Sequence, residues 1–241
     1  WGAVTGQLFP TGERINVIDG VEVTCIDAAM PMVLMNARSL GVTGIESASE
    51  LDAMPDLLAR MERIRLQAGR LMGLGDVSNS VIPKPVLVSE GDHPDSIVSR
   101  YFTPHKCHMS HAVTGAIGVV TAFAMPGTVA SGIVRNAGRH PLSVVHPQGQ
   151  IDLDVELTGE GSALTVVRAA LVRTARKIMQ GELHLPKYVF PSPSTEKIEA
   201  QKLADHYPQK EVKIIVPTSA GGGNDTMARI ITRKIGPLLG N

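Results

Sequence analysis

Apolar and acidic residues alternate along positions 151–157, which is the clearest pattern in the chain. The apolar members are Ile151, Leu153, Val155 and Leu157, and the acidic members are Asp152, Asp154 and Glu156. A period of two turns one set of side chains toward a core and the other toward water, so the pattern predicts a half-exposed antiparallel strand. Residues 163–181 are ambiguous, because their apolar spacing fits a helix and their β-branched residues fit strands.

Other apolar stretches predict three further elements. Residues 21–36 are valine-rich and predict two short strands broken near Pro31, and "VIPKPVLVS" at 81–89 predicts a strand that follows a proline. Between them, apolar residues recur at steps of three and four, which predicts one core-packing helix with Asp52 near its start and Gly73 at its end. Its apolar positions are Leu57, Leu58, Met61, Ile64, Ala68, Leu71 and Met72.

Residues 107–134 contain no Asp, Glu, Lys or Arg. A helix from Val113 to Ala124, ended by Pro126 and Gly127, would be roughly 18 Å long, which is too short for the ~30 Å of a bilayer core. A helix that is apolar on all sides must be wrapped by protein. The sequence therefore predicts an α+β domain in which an antiparallel sheet curls around a central helix.

The start of this helix is a candidate anion site. Thr114 and Gly115 lie in its first turn, where backbone N–H groups lack intrahelical partners and the helix dipole is positive. Such an end can hold a carboxylate without charged side chains. The alternative is a helix capped by Ser110 or Thr114 with nothing bound, and the pattern alone favours it because caps are common.

Composition narrows the class of partner. Lysines plus arginines equal aspartates plus glutamates at 23 each, and aromatic residues are only 3 %. Neither a basic surface nor stacking platforms for bases are indicated, so nucleic-acid and anionic-membrane partners are not expected. Two cysteines do not make a disulfide framework, which favours a cytoplasmic setting. The chain starts at Trp1 without a signal pattern, and we expect upstream residues to be missing.

A change of composition divides the chain. Residues 191–206 are rich in proline, serine and then charge, which predicts a linker after a first domain at 1–190. Residues 207–241 read as strand, glycine loop and amphipathic helix, which predicts a short second unit.

Four segments of the first unit resemble the PrpF-like isomerases, within them the 4-oxalomesaconate tautomerase branch. They are "VTCIDAAMPMV", "RIRLQAGRLMGLGDVSNSVIPKPVLV", "RYFTPHKCHMSHAVTGAIG" and "VRTARKIMQGELHLP". The resemblance covers about residues 1–190. It implies the diaminopimelate-epimerase fold, which has two domains that are each a curled sheet around a helix, with the active site between them.

The resemblance also implies a function. "TGQLFPTGERINVIDGVEVTCID" resembles the crossover into the second domain of this family, so the lysine and cysteine credited with proton transfer have no counterpart here. Ala112 stands where related epimerases have a cysteine. We therefore expect a mainly substrate-binding half of a keto–enol tautomerase for a 4-oxalomesaconate-like tricarboxylate from aromatic-acid breakdown, inactive as an isolated chain and needing no cofactor. The alternative is a non-catalytic carboxylate-binding module or a solute-receptor fragment, and a homo-oligomer stays open.

Within this frame His108 and Ser110 are the candidate catalytic residues. The candidate substrate-binding residues are His111, Thr114, Gly115, Lys84, Met30 and Arg173. Each has a plainer interpretation: Met30 as core, Lys84 as a surface lysine, and the basic stretch from Arg168 to Lys177 as a solvated face. A metal site formed by His105, Cys107, His108 and His111 is not expected, because the spacing matches no trusted zinc pattern.

Residues 207–241 resemble the beginning of the periplasmic receptors of tripartite tricarboxylate transporters. There the loop after the first strand contacts a carboxylate, by the same helix-start mechanism. The matching loop residues here are Ser219, Gly221, Gly222, Gly223, Asn224, Asp225 and Thr226. A lone strand and helix cannot close a two-lobed cleft, so we expect no ligand binding by this tail and interpret it as a fusion or an assembly error.

Overall fold

Eight strands pair in the order in which they occur along the chain, within residues 2–131 and 135–172 that the computed structural model describes. The strands are β1 (Asn16–Ile18), β2 (Val21–Asp27), β3 (Pro31–Asn36), β4 (Lys84–Glu90), β5 (Ser96–Tyr101), β6 (Gly138–His146), β7 (Gly149–Thr158) and β8 (Thr165–Leu171). The α-helices of this part are α1 (Ala48–Asp52), α2 (Pro55–Leu71) and α3 (Val113–Ala124). Short 3₁₀ turns occupy Ala37–Leu40 and Gly161–Ala163. Arg173, the rest of the basic stretch, the predicted linker and the whole tail loop lie outside the described residues.

The sheet is mixed, so the prediction of an antiparallel sheet was wrong in two places. β3 pairs with β4 in parallel, and β5 pairs with β6 in parallel, while the other neighbours are antiparallel. In both parallel pairs the connection contains a long helix, which carries the chain back so that the next strand runs in the same direction. The α+β class is confirmed.

The helix α3 has the predicted bounds and lies against the sheet. It packs on β2, β3 and the four strands from β5 to β8. Its residues Gly115, Ala116 and 118–124 are buried, which agrees with a helix that is apolar on all sides. None of the described helices is both long and apolar enough to cross a bilayer.

The helix α2 covers the opposite face of the first strands. Met32 and Leu34 of β3 join the apolar cluster under α3, while Val33 and Met35 join the cluster under α2. Strands β2 to β4 are therefore buried on both faces, which explains why residues 21–36 are apolar without alternation.

The predicted single helix is divided in two at its start. Ser47 and Glu50 form a capping box for α1, and Asp52 is the last residue of α1 rather than the start of the long helix. Pro55 opens α2, where its missing N–H costs nothing, and it disfavours helical geometry at Met54 (φ −105°, ψ 80°).

The two remaining predictions concern the last strands. The alternating segment is strand β7, with its apolar residues buried, as predicted. The ambiguous segment is a strand as far as Leu171, and Arg168 pairs across to Asp154 of β7 at 2.8 Å. Arg168 therefore belongs to an exposed face, in line with its plainer interpretation.

Candidate functional site

The predicted site residues within the described part come together at one end of the sheet. Met32 of β3 pairs with Lys84 of β4, and Val86 of β4 pairs with Tyr101 of β5. Met30 precedes β3, and the loop at 102–112 connects Tyr101 to the start of α3. This end of the sheet, together with that loop and the first turn of α3, is called the candidate site below.

Tyr101 contacts several parts of the candidate site, although no sequence motif pointed to it. Its hydroxyl donates to Met30 Sδ at 3.1 Å, and its ring centroid lies 5.0 Å from that of His111 and 6.2 Å from that of His108. Burial raises the pKa of Tyr101 to about 12, so the phenol stays neutral and keeps its proton.

Gly115 lets the first turn of α3 approach Tyr101. A Cβ at this position would come within 2.6 Å of Tyr101 Cε2. Glycine is therefore required here by close approach of an aromatic ring, and Gly115 is a packing residue of the site.

His111 is buried and both of its ring nitrogens have partners. Nδ1 lies 2.9 Å from the carbonyl oxygen of Ala112, and Nε2 lies 2.9 Å from Ser99 Oγ. A carbonyl only accepts, so Nδ1 carries the proton and Nε2 accepts from the Ser99 hydroxyl. Burial lowers the pKa of His111 to about 4, and the neighbouring His146 and His108 add to this lowering. His111 therefore uses both ring nitrogens within the fold, and its predicted contact with the substrate stays a prediction.

In His108 the Nδ1 atom accepts a hydrogen bond, whereas in His111 it donates one. The Nδ1 atom of His108 accepts from the backbone N–H of Ser110 at 3.1 Å, and Ser110 Oγ lies 3.3 Å from the same nitrogen. The ring proton is thus on Nε2, and the backbone is fixed by a 2.7 Å bond from His108 N–H to the Tyr101 carbonyl. His108 is half-buried and can present Nε2–H as a donor, while Ser110 orients it.

Among the described residues no side chain caps the start of α3, so the predicted cap by Ser110 or Thr114 was wrong. Ala112 is the N-cap residue, and it makes no side-chain cap bond. The hydroxyl of Ser110 is directed to His108, and Thr114 lies inside the helix. The first helical bond runs from Ala116 N–H to the Ala112 carbonyl, so the N–H groups of residues 113–115 precede it.

Lys84 is a cation with little exposure. It is 8 % exposed, and along β4 it alternates with its neighbours so that it shares the α3 face with Val86 and Val88. Burial lowers the pKa of Lys84, and the nearby Arg65 lowers it further. Within the described part of the chain no hydrogen bond or ion pair holds its ammonium group. A surface lysine, the plainer interpretation, does not describe it.

Neither cysteine is placed for nucleophilic chemistry. Cys25 and Cys107 lie in the apolar cluster on the α2 face, where burial raises their pKa values to about 12 and about 11. The backbone N–H of Cys107 bonds to Asp52 Oδ1 at 2.7 Å, which anchors the loop at 102–112, called the histidine loop below, to α1. Among residues 2–131 and 135–172 no group of three or more His, Cys, Asp or Glu side chains could hold a metal ion.

Known proteins similar to this chain are isomerases by name. The family described as "PrpF protein" matches residues 1–186. "Putative isomerase YbhH" of Escherichia coli (strain K12) is 52 % identical over 185 residues, which are 77 % of this chain and 52 % of that protein. The 4-oxalomesaconate tautomerase of Pseudomonas putida is 43 % identical over 182 residues, which are 75 % of this chain and 49 % of that protein.

A solved isomerase structure is also similar to this chain over about half of its own length. Methylitaconate-delta-isomerase has a TM-score of 0.62 and 26 % identity, and the match covers 75 % of this chain and 52 % of that chain. The chain spans about half the length of the curated relatives it matches. The likeness of residues 207–241 to transporter receptors finds no support in these comparisons.

Proposed function

The chain belongs to the PrpF family, and from this we propose that it forms the carboxylate-binding half of an isomerase for a small tricarboxylate of the 4-oxalomesaconate kind. The names of its relatives support isomerase chemistry. The proposal includes the diaminopimelate-epimerase-like fold, for which α3 packed against six strands of one sheet is the support. A cytoplasmic location and a homo-oligomer stay predictions.

One observation carries the proposal: the candidate site contains three kinds of donor that have no partner among the described residues. They are the Nε2–H of His108, the ammonium of Lys84 and the N–H groups that open α3. Carboxylates are held by such charge-assisted bonds and by helix N-termini. A ligand with three carboxylates needs several of them at once.

These donors also suit an enolate. Removing a proton next to a carbonyl places negative charge on the carbonyl oxygen. A fixed donor aimed at that oxygen stabilises the transition state, and one such donor typically raises the rate by about 10²–10³-fold. His108 can supply its Nε2–H there, since its Nδ1 accepts from the backbone N–H of Ser110. The lysine and cysteine that the resemblance credits with proton transfer have no counterparts in the chain, so we expect little turnover of 4-oxalomesaconate by it alone.

A non-catalytic carboxylate-binding module is the second candidate. It is favoured by the protonation states of the buried cysteines and of His111, none of which is charged at neutral pH. The two cysteines keep their protons because burial raises their pKa values, and His111 stays neutral because burial lowers its pKa. Turnover of 4-oxalomesaconate by the 241-residue chain would argue against this candidate and for an active enzyme.

Calorimetry with trans-aconitate, a stable tricarboxylate, tests the proposal. Lys84→Met removes the ammonium, and Val113→Pro removes the first N–H of α3 at a position that proline tolerates, since Ala112 before it is extended (φ −72°, ψ 138°). We expect each change to weaken binding by about tenfold, the typical effect of losing one charge-assisted hydrogen bond.

The control is Arg38→Met, which removes an exposed cation beyond the far end of β3, outside the candidate site, and should leave affinity unchanged. Absence of trans-aconitate binding by the unaltered chain, or equal affinity of all four proteins, would overturn the proposed site.

A further inference from the structure

Arg65 of α2 is fully buried and all five of its N–H groups have acceptors. Nε donates to Glu62 Oε2 at 2.6 Å, and one hydrogen on Nη2 goes to Glu62 Oε1 at 2.7 Å. The other Nη2 hydrogen reaches the Val77 carbonyl at 3.0 Å. Nη1 reaches the carbonyls of Ser80 at 3.1 Å and Ile82 at 3.2 Å. The planar fork of arginine satisfies this set of acceptors completely.

The three carbonyls belong to one segment, residues 77–82, which leads directly to Lys84 at the start of β4. Arg65 thus holds this segment by three hydrogen bonds to its backbone. Lys84 pairs with Met32 of β3, and the segment sets the direction from which the chain enters β4, so it bears on where Lys84 and its ammonium group lie.

A second contact holds the same segment one helical turn further along α2. A Cβ at Gly69 would lie 2.4 Å from Val77 Cγ2, so only glycine allows this approach. Glycine inside a helix costs roughly 0.5–1 kcal/mol relative to alanine. Arg65 and Gly69 are four residues apart and therefore on one face of α2, which is the face that receives the segment.

Glu62 also lies beside the histidine loop. Its Oε2 is 3.8 Å from His105 Nδ1, three residues before His108. His105 is 66 % exposed, so this pair adds little stability. The main work of Glu62 is to hold Arg65 with two short bonds.

We propose that Arg65, held by Glu62, is a positioning residue that fixes the Lys84 ammonium for carboxylate binding without touching the ligand. This inference rests on the proposed function of the candidate site. A lysine at position 65 would keep the charge but offers three donors on one nitrogen, which cannot reach three carbonyls and a carboxylate together. The Arg65 charge also lowers the pKa of Lys84, so a change in the distance between the two cations shifts the titration of Lys84 even when both charges remain, which supplies a direct readout.

The test compares the full chain with Arg65→Lys, Gly69→Ala and the control Arg63→Lys. Arg63 lies on the same helix, is 62 % exposed and makes only a surface ion pair with Asp19 at 3.3 Å. Trans-aconitate affinity is measured by calorimetry, and the titration of Lys84 is followed by NMR after reductive ¹³C-methylation of the lysines. We expect Arg65→Lys and Gly69→Ala to weaken binding about tenfold and to shift the Lys84 signal, with Arg63→Lys unchanged in both.

Failure of the inference and failure of the proposed function are distinguishable. If the unaltered chain binds and Lys84→Met does not, but Arg65→Lys and Gly69→Ala bind normally, the inference is overturned while the site stands. Weaker binding with an unchanged Lys84 signal would also overturn it, because the effect would then be structural only.

If the unaltered chain does not bind, the proposed function fails, and the Lys84 signal still decides whether Arg65 positions the ammonium. If Arg65→Lys does not fold, judged by far-UV circular dichroism, Gly69→Ala decides alone because it moves the segment and leaves every charge in place.

Discussion

The two histidines beside Tyr101 carry their protons on different ring nitrogens. His111 has its proton on Nδ1, where the Ala112 carbonyl accepts it, and His108 has its proton on Nε2, because Ser110 donates to Nδ1. Both ring nitrogens of His111 are therefore hydrogen-bonded within the fold, whereas His108 keeps its Nε2–H available as a donor. Sequence spacing cannot identify the tautomer of His111, since one of its partners, Ser99, lies on strand β5 rather than in the loop that carries both histidines.

The burial of His111 predicts a pH-dependent stability. Its folded pKa of about 4 lies below the ordinary histidine value of 6.5, so the unfolded chain binds the extra proton between these values. The stabilisation is complete above pH 6.5 and is lost as pH falls toward 4. Its contribution is about 2 kcal/mol between pH 7 and pH 5, from ~1.4 kcal/mol per unit of pKa difference.

Urea unfolding at pH 7 and pH 5 measures this effect. His111→Gln should reduce the loss of unfolding free energy between the two pH values by about that amount, because glutamine does not titrate. His93→Gln, at an exposed position, is the control. The same pH dependence in the His111→Gln protein and the unaltered protein would contradict the assignment.

At the scale of elements, α3 and β7 follow from the sequence and the pairing of strands does not. The apolar run ended by Pro126 and the strict alternation at 151–157 are local signals, and both elements have the expected extent. The parallel pairs, and the role of Tyr101, depend on which strands become neighbours. Which strands pair in parallel depends on the connections between them. The helices within residues 37–83 and 102–137 were the sequence signal that could have predicted it.

The packing of α3 predicts different tolerance at two of its glycines. A Cβ at Gly115 meets the rigid ring of Tyr101 at 2.6 Å, whereas a Cβ at Gly118 meets mainly Met32 Cε, the end of a flexible side chain. Gly115→Ala should therefore lower the free energy of unfolding by about 1–3 kcal/mol, as overpacking does. Gly118→Ala should cost less, because the methionine methyl group can move and alanine favours the helix.

Thermal or urea unfolding of both variants checks this order. An equal loss in the two variants, or a larger loss for Gly118→Ala, would contradict the close contact between Gly115 and Tyr101.

At the scale of the whole molecule, every contact invoked for the candidate site lies within the described residues up to Leu171. The family match extends to residue 186. A chain that ends at Pro186 should therefore bind trans-aconitate as the full chain does, within about twofold, because no donor of the site is removed. Calorimetry on the two chains measures this. A loss of binding on truncation would show that residues 187–241 take part, and the tail loop at 219–226 would be the first place to examine.

The strand order β1 to β8 has a consequence for how the protein is made. Among the described strands, each of β2 to β8 hydrogen-bonds to the strand that leaves the ribosome just before it, so this sheet can lengthen in step with synthesis. The hairpin-like pairs need only short loops, whereas residues 37–83 and 102–137 must each place a helix before the next strand can dock. We expect formation of these two helical connections to limit the rate of folding.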